Sequence, residues 1–221
     1  MKKRFWIYLF IAVLVIHLIG ILLSNEIAQV ISKPLLIIVL IIYFSIATEK
    51  YKLKKWIFSA LSFSWLGDIL LMFQSQDSLF FLSGLSAFLI AHIFYIFFFH
   101  RVRIAESVKG RWWLILIVGI YYTSLIIILS PYLADMKLPV KIYGIVISFM
   151  LLLAMHMSFI KNKKAGILMM TGALLFVISD SLLAINKFYQ SFESAGIMVM
   201  LTYGLAQLFI IEGAIQYIRK R

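Results

Sequence analysis

The sequence predicts an all-α, polytopic membrane protein, a bundle of about eight transmembrane helices. Hydrophobic residues make up 64% of the 221 residues, and the mean hydropathy is +1.04, so the chain is more apolar than a water-soluble domain. Its apolar residues form continuous runs of roughly 20, enough helix to cross a hydrocarbon core about 30 Å thick. Strands of a membrane barrel would instead alternate over about ten residues. The predicted spans are residues 5–23, 34–48, 56–73, 79–99, 112–130, 138–160, 165–185 and 195–218.

These spans are expected to form a single integral membrane domain over residues 1–221, because the polar segments between them are short. The first run follows Met1 and three cations, as in a secretory signal, but no small-residue cleavage site follows it and further spans do. We therefore keep it as the first helix. The second run opens at Lys33-Pro34, where proline suits a first helical turn and Ser32 is a suitable N-cap.

The basic residues predict the orientation of the bundle. With the N-terminus in the cytoplasm, all but four of the 21 lysines and arginines fall on the cytoplasmic side, which is the positive-inside pattern. We therefore expect an integral plasma (cytoplasmic) membrane protein with cytoplasmic N- and C-termini. The formal charge of +12 then indicates anionic membrane lipids as partners and no nucleic acid. The four exceptions are Lys33, Lys137, Lys141 and Lys187.

The third and seventh spans resemble each other when they are aligned on their aspartates, Asp68 and Asp180. Segment 60–71 then faces segment 172–183, and a small residue, Asp, any residue and two leucines recur in both. Ala91-His92 and Ala206-Gln207 match in the spans that follow. Two four-helix parallel repeats fit this pattern, and chance similarity among apolar helices explains it equally well.

Asp68 and Asp180 are the candidate catalytic residues. A charged Asp inside a membrane helix costs at least about 2.5–3.5 kcal/mol, so it normally faces the interior, forms a pair or marks a functional site. Both spans run outward, and both aspartates are expected at one depth near the outer surface. Two carboxyl groups in one apolar pocket can divide the roles of general acid and general base. The structural alternative is that each carboxyl group only hydrogen-bonds a neighbouring helix.

Other polar residues are candidates for contact with a substrate. Gly84, Phe88, His92 and Tyr95 share one face of the fourth span by helical spacing, and Tyr203 and Gln207 are one turn apart in the eighth. For His92 and Gln207, a structural hydrogen bond between helices is an equally good interpretation, and Tyr143 also suits the aromatic belt of a membrane interface. The predicted substrate-binding residues are Lys33, His92, Tyr95, Tyr143, Tyr203 and Gln207.

No metal or other cofactor is expected. The sequence contains no cysteine, which excludes thiolate ligands and disulfides. Its four histidines form no i, i+4 pair, which argues against a zinc hydrolase with three protein ligands.

Five motifs stand in order from the second span to the eighth. They are Lys33-Pro34-Leu35, Ser64-x-x-Gly67-Asp68, Gly84 through His92 to Tyr95, Gly172-Ala173-x-x-Phe176-x-x-Ser179-Asp180 and Tyr203-x-x-Ala206-Gln207. This ordered set resembles the YhhN-like lysoplasmalogenase family. The resemblance implies an eight-helix hydrolase that cleaves the vinyl ether bond of a lysoplasmalogen, a 1-alkenyl-glycerophospholipid, to a fatty aldehyde and glycerophospho-ethanolamine or -choline. It implies a lysophospholipid substrate and catalysis at Asp68 and Asp180.

A proton-coupled transporter or a lipid-binding membrane protein is the alternative function, in which the same aspartates relay protons and the repeated halves rock about a central site. Interrupted helices at matching positions would favour a transporter. The spans contain little Pro and Gly interruption of that kind, which favours the enzyme.

Overall fold

The computed structural model describes residues 2–48 and 52–219, and the side chains of residues 4–48 and 52–219. This part of the chain forms eight long α-helices connected by short segments, which confirms the predicted all-α fold. The helices are α1 (Lys2–Leu22), α2 (Glu26–Ala47), α3 (Lys54–Met72), α4 (Ser78–Ala105), α5 (Trp112–Leu129), α6 (Lys137–His156), α7 (Lys163–Ala184) and α8 (Ala195–Ile218).

Seven of the eight described helices are long and apolar enough to cross a membrane. The exception is α3, which is less apolar than the other seven. α3 has 19 residues, which give a length of about 28 Å. Its lower hydropathy comes from Lys54 and Lys55 in the first turn and from Asp68 near the other end. The helices together indicate an integral membrane protein.

Several cations that predict the orientation have no described side chain. Lys50, Lys220 and Arg221 lie outside the described residues, as do the side chains of Lys2 and Lys3. The cytoplasmic placement of both termini therefore stays a prediction from sequence.

α2 begins at Glu26, eight residues before the predicted span, and Pro34 lies inside the helix. The cause is the side chain of Asn25, whose Oδ1 accepts a hydrogen bond of 3.0 Å from the amide of Ala28 and so caps the helix. Ser32, the predicted N-cap, instead donates from its hydroxyl to the carbonyl of Ala28 within the helix at 2.5 Å. The helix thus carries Lys33 in its second turn.

The α7–α8 and α3–α4 pairs have the most extensive contacts in the bundle. A Cβ atom on Gly172 would lie 2.7 Å from the amide nitrogen of Ile210 in α8, so the two backbones touch there. A Cβ atom on Gly67 would lie 2.7 Å from the ring of Phe88 in α4. Small residues allow helices to approach this closely in a membrane. Each candidate aspartate is therefore carried by one helix of a tightly packed pair.

Candidate active site

A cavity of about 70 Å³ lies among α2, α3, α4, α6, α7 and α8. It has room for several water molecules or for a small reacting group, and it is smaller than a lipid. Its polar lining residues are Lys33, Asp68, Gln74, Tyr143, Ser179, Asp180 and Tyr203, and its apolar ones are Leu71, Phe81, Leu85, Phe88, Leu183, Val199 and Met200.

Asp68 is held by neighbours from two other helices. Its carboxyl group is almost fully buried, with 2% of the residue exposed. The hydroxyl of Tyr203 in α8 donates a hydrogen bond to Oδ2 at 2.7 Å, and Lys33 in α2 interacts with the carboxyl group electrostatically. Asp68 thus has a hydroxyl donor from α8 and an electrostatic partner from α2, and all three residues line the cavity.

Asp180 has a different set of neighbours. The hydroxyl of Tyr143 in α6 donates a hydrogen bond to its Oδ2, and Nε2 of His92 in α4 lies 3.9 Å from the same oxygen. The Asp180 side chain keeps 16% exposure. One residue further on, the hydroxyl of Ser181 hydrogen-bonds the hydroxyl of Tyr121 in α5 at 2.6 Å. The surroundings of Asp180 are therefore aromatic and hydroxylic.

The two carboxyl groups share the cavity and interact electrostatically with each other. The ring of Phe176 lies between their supporting side chains. Its centroid is 5.4 Å from that of Tyr203 and 4.7 Å from that of His92, both in edge-on arrangements. Two acidic side chains, each bonded to a tyrosine from another helix, thus face one small space.

A hydrogen-bonded chain supports Tyr203 from behind. Tyr95 donates from its hydroxyl to Oε1 of Gln207 at 2.6 Å, and Nε2 of Gln207 donates to the hydroxyl of Tyr203 at 3.4 Å. Tyr95 and Gln207 are both fully buried. These two hydrogen bonds orient the Tyr203 hydroxyl, and they therefore also orient the hydrogen bond that this hydroxyl donates to Asp68.

The predicted substrate-binding residues fall into two groups. Lys33, Tyr143 and Tyr203 line the cavity, whereas His92, Tyr95 and Gln207 lie behind residues that line it. A substrate in the cavity would contact the first group directly, whereas the second group would act on it only through Asp180 and Tyr203.

Sequence reasoning missed two polar residues of the site. Gln74 lines the cavity just beyond the end of α3, and Tyr121 bonds Ser181 next to Asp180. Each gives a signal in the sequence. Gln74 is a polar residue shortly after Asp68, and Tyr121 is a hydroxyl-bearing residue in the middle of the apolar α5.

A model of the YhhN family matches residues 28–214. Lysoplasmalogenase TMEM86B of Homo sapiens is 34% identical over 158 residues, which are 71% of this chain and 62% of that protein. A protein of Mycobacterium bovis named lysoplasmalogenase is 27% identical over 163 residues, 72% of this chain and 60% of that protein. The chain thus matches roughly three fifths of the length of these curated relatives. No solved structure matches it.

Proposed function

The chain belongs to the YhhN family, and from that premise we propose that it is an intramembrane hydrolase for the vinyl ether bond of a lysoplasmalogen. The products are a fatty aldehyde and glycerophospho-ethanolamine or -choline. The observation that carries the proposal is that Asp68 and Asp180, from two different helices, line the same cavity. Relatives named lysoplasmalogenase support the choice of substrate class.

Vinyl ether cleavage needs a proton donor and a base, and the two aspartates provide both. The acid protonates the alkene carbon remote from the ether oxygen, which gives an oxocarbenium ion. The ionised carboxylate stabilises this cation and takes a proton from water as the water adds to the carbon bearing oxygen. The resulting hemiacetal collapses to aldehyde and alcohol as its hydroxyl proton returns to the first carboxylate and the second gives its proton to the departing oxygen. The division of labour parallels that of two-carboxylate glycosidases.

Lys33 distinguishes the two carboxyl groups. A neighbouring cation stabilises the charge of a carboxylate, and a neighbouring carboxylate disfavours a second negative charge. Lys33 interacts with Asp68, and Asp180 has Asp68 itself as a charged neighbour. We therefore assign the base to Asp68 and the proton donor to Asp180.

The small cavity accepts only the reacting end of the lipid. The vinyl ether would enter between the aspartates, and the alkenyl chain would follow the apolar wall formed by residues such as Phe81 and Leu85. Lys33 and Gln74 provide polar contacts for the glycerol and phosphate. This arrangement requires access for a lipid at one membrane surface only.

The test is release of free aldehyde from a defined lysoplasmalogen by the detergent-purified protein, compared with a 1-acyl lysophospholipid of the same chain length. We expect Asp68→Asn and Asp180→Asn each to lower the rate by about 10²–10⁴-fold, the usual contribution of a general acid or base. Asp135→Asn is the matched control, because Asp135 is exposed and outside the cavity. Full vinyl ether hydrolysis by both folded active-site variants, or preference for the ester, would exclude the proposal.

A further inference from the structure

His92 is a fully buried imidazole with unused hydrogen-bonding capacity. Its exposure is 0%, and neither ring nitrogen has a hydrogen-bond partner among the described residues. The buried histidines of α1 and α6 differ, since His17 bonds Ser32 at 2.8 Å and His156 contacts the carbonyl of Leu152 at 2.7 Å. Buried polar groups are nearly always paired, so an unpaired one requires an explanation.

The position of His92 points to Asp180. Nε2 of His92 lies 3.9 Å from Oδ2 of Asp180, which is beyond hydrogen-bond distance. The ring is held in this place by edge-on contacts with Phe176, at 4.7 Å between centroids, and with Tyr143, at 5.4 Å. Tyr143 also donates to Oδ2. Two groups from different helices therefore converge on one oxygen of Asp180: Tyr143, which lines the cavity, and His92, which lies behind the lining.

We propose that His92 is a positioning residue that donates a hydrogen bond from Nε2 to Asp180 once Asp180 has given its proton to the substrate. The proposal rests on the proposed function and on Asp180 as its proton donor. A shift of roughly 1 Å brings the two atoms to the 2.7–2.9 Å of a charge-assisted bond. A donor that engages only when charge develops lowers the barrier, because it binds the transition state better than the resting state.

The proton inventory of this step is simple. The proton of Asp180 moves to the alkene carbon remote from the ether oxygen, where the electron pair of the C=C π bond forms the new C–H bond, while the imidazole stays neutral and keeps its Nε2 proton. His92 thus contributes a hydrogen bond to the new carboxylate and transfers no proton. The contact opens again when the hemiacetal hydroxyl returns a proton to Asp180.

Two substitutions separate the contribution of the Nε2 hydrogen-bond donor from that of the aromatic ring. His92→Phe keeps an aromatic ring between Phe176 and Tyr143 and removes the donor, whereas His92→Gln places an amide donor near the position of Nε2. We expect His92→Phe to lower kcat for lysoplasmalogen by about 10²-fold with KM unchanged, as for loss of one oxyanion donor. His92→Gln should stay within roughly tenfold of the wild type.

The controls test folding and substrate binding without turnover. A 1-alkyl lysophospholipid, which has no alkene to protonate, should bind the wild type and His92→Phe with the same Kd. His100→Gln, at an exposed position of α4 outside the cavity lining, should leave kcat unchanged. If His92→Phe does not fold, His92→Asn replaces it, because the shorter Asn side chain cannot reach Asp180 with its amide. A low kcat in His92→Asn together with a high kcat in His92→Gln then supports the proposal.

The outcomes that overturn the inference differ from those that overturn the function. Wild-type kcat in a folded His92→Phe variant, or a raised KM with weaker binding of the 1-alkyl lipid and normal kcat, rules out the positioning role. A wild-type protein that releases no aldehyde instead rules out the proposed function.

Discussion

The hydroxyl of Tyr203 donates a 2.7 Å hydrogen bond to Asp68 and so joins α8 to α3 across 135 positions of sequence. The same hydroxyl accepts from Gln207, which in turn accepts from Tyr95. The orientation of one carboxyl group is therefore set by α8 and α4 together, although neither of those helices carries an aspartate of the site.

Tyr203→Phe removes the hydroxyl donor of Asp68 and leaves the ring in place. A hydrogen bond to a charged group contributes about 1.5–3 kcal/mol, so we expect hydrolysis to fall by roughly ten- to hundredfold and the melting temperature in detergent to decrease. Tyr122→Phe is the control, because its hydroxyl makes only a 3.4 Å contact with the carbonyl of Lys141. Equal activity of the two variants would contradict the role of this bond.

Gly67→Ala should damage the site through Phe88. The added Cβ atom meets the Phe88 ring at 2.7 Å, and Phe88 lines the cavity, so the ring must move. We expect a loss of about 1–3 kcal/mol in stability, as for overpacking, together with lower activity. Gly119→Ala is the matched control in α5, where the new methyl group meets nothing within 4 Å. Thermal unfolding in detergent and aldehyde release measure the two effects, and a Gly67→Ala variant that behaves like Gly119→Ala would contradict the packing argument.

Lys33→Gln tests whether the cation of α2 acts on Asp68 or on the phosphate of the lipid. The electrostatic interaction of Lys33 with Asp68 predicts a lower kcat for a phosphate-free 1-alkenyl glycerol as well as for lysoplasmalogen. Lys33→Arg should recover part of the rate because it keeps the charge. Lys141→Gln controls for the loss of a cation on the same predicted side, since Lys141 lies outside the cavity lining. A defect confined to the phosphorylated substrate would instead assign Lys33 to the headgroup.

The absence of cysteine provides a direct test of orientation. Glu193→Cys lies before α8 on the predicted outer side, and Lys109→Cys lies before α5 on the predicted cytoplasmic side, and both positions are exposed. In intact cells a membrane-impermeant maleimide should label Glu193→Cys alone, and both variants after lysis. The reverse pattern in intact cells would invert the positive-inside assignment.

Much of the helical framework could be predicted because lipid requires long apolar helices, and the two aspartates stand out against that background. The start of α2 could not be predicted, because the polar residues Gln29, Ser32 and Lys33 in its first turns are typical of a loop. What decides the start is a local bond from Asn25, which the pattern of apolar residues does not contain.

The supporting tyrosines were harder to assign. Tyr143 has the character of an interfacial residue, and only the packing of α6 against α4 and α7 turns its hydroxyl toward Asp180. His92 and Gln207 were expected either to bond a neighbouring helix or to contact substrate. Sequence periodicity places them on an inward face, but the distances that put them behind Asp180 and Tyr203 depend on how the helices pack.

The bond between Tyr203 and Asp68 has a consequence for biosynthesis. The ribosome makes Asp68 135 residues before it makes Tyr203. Lys33, already inserted with α2, interacts with Asp68 and is available as an early counter-ion. A nascent chain of three helices can therefore shelter its acidic residue from lipid while the hydroxyl that later orients it has yet to be translated.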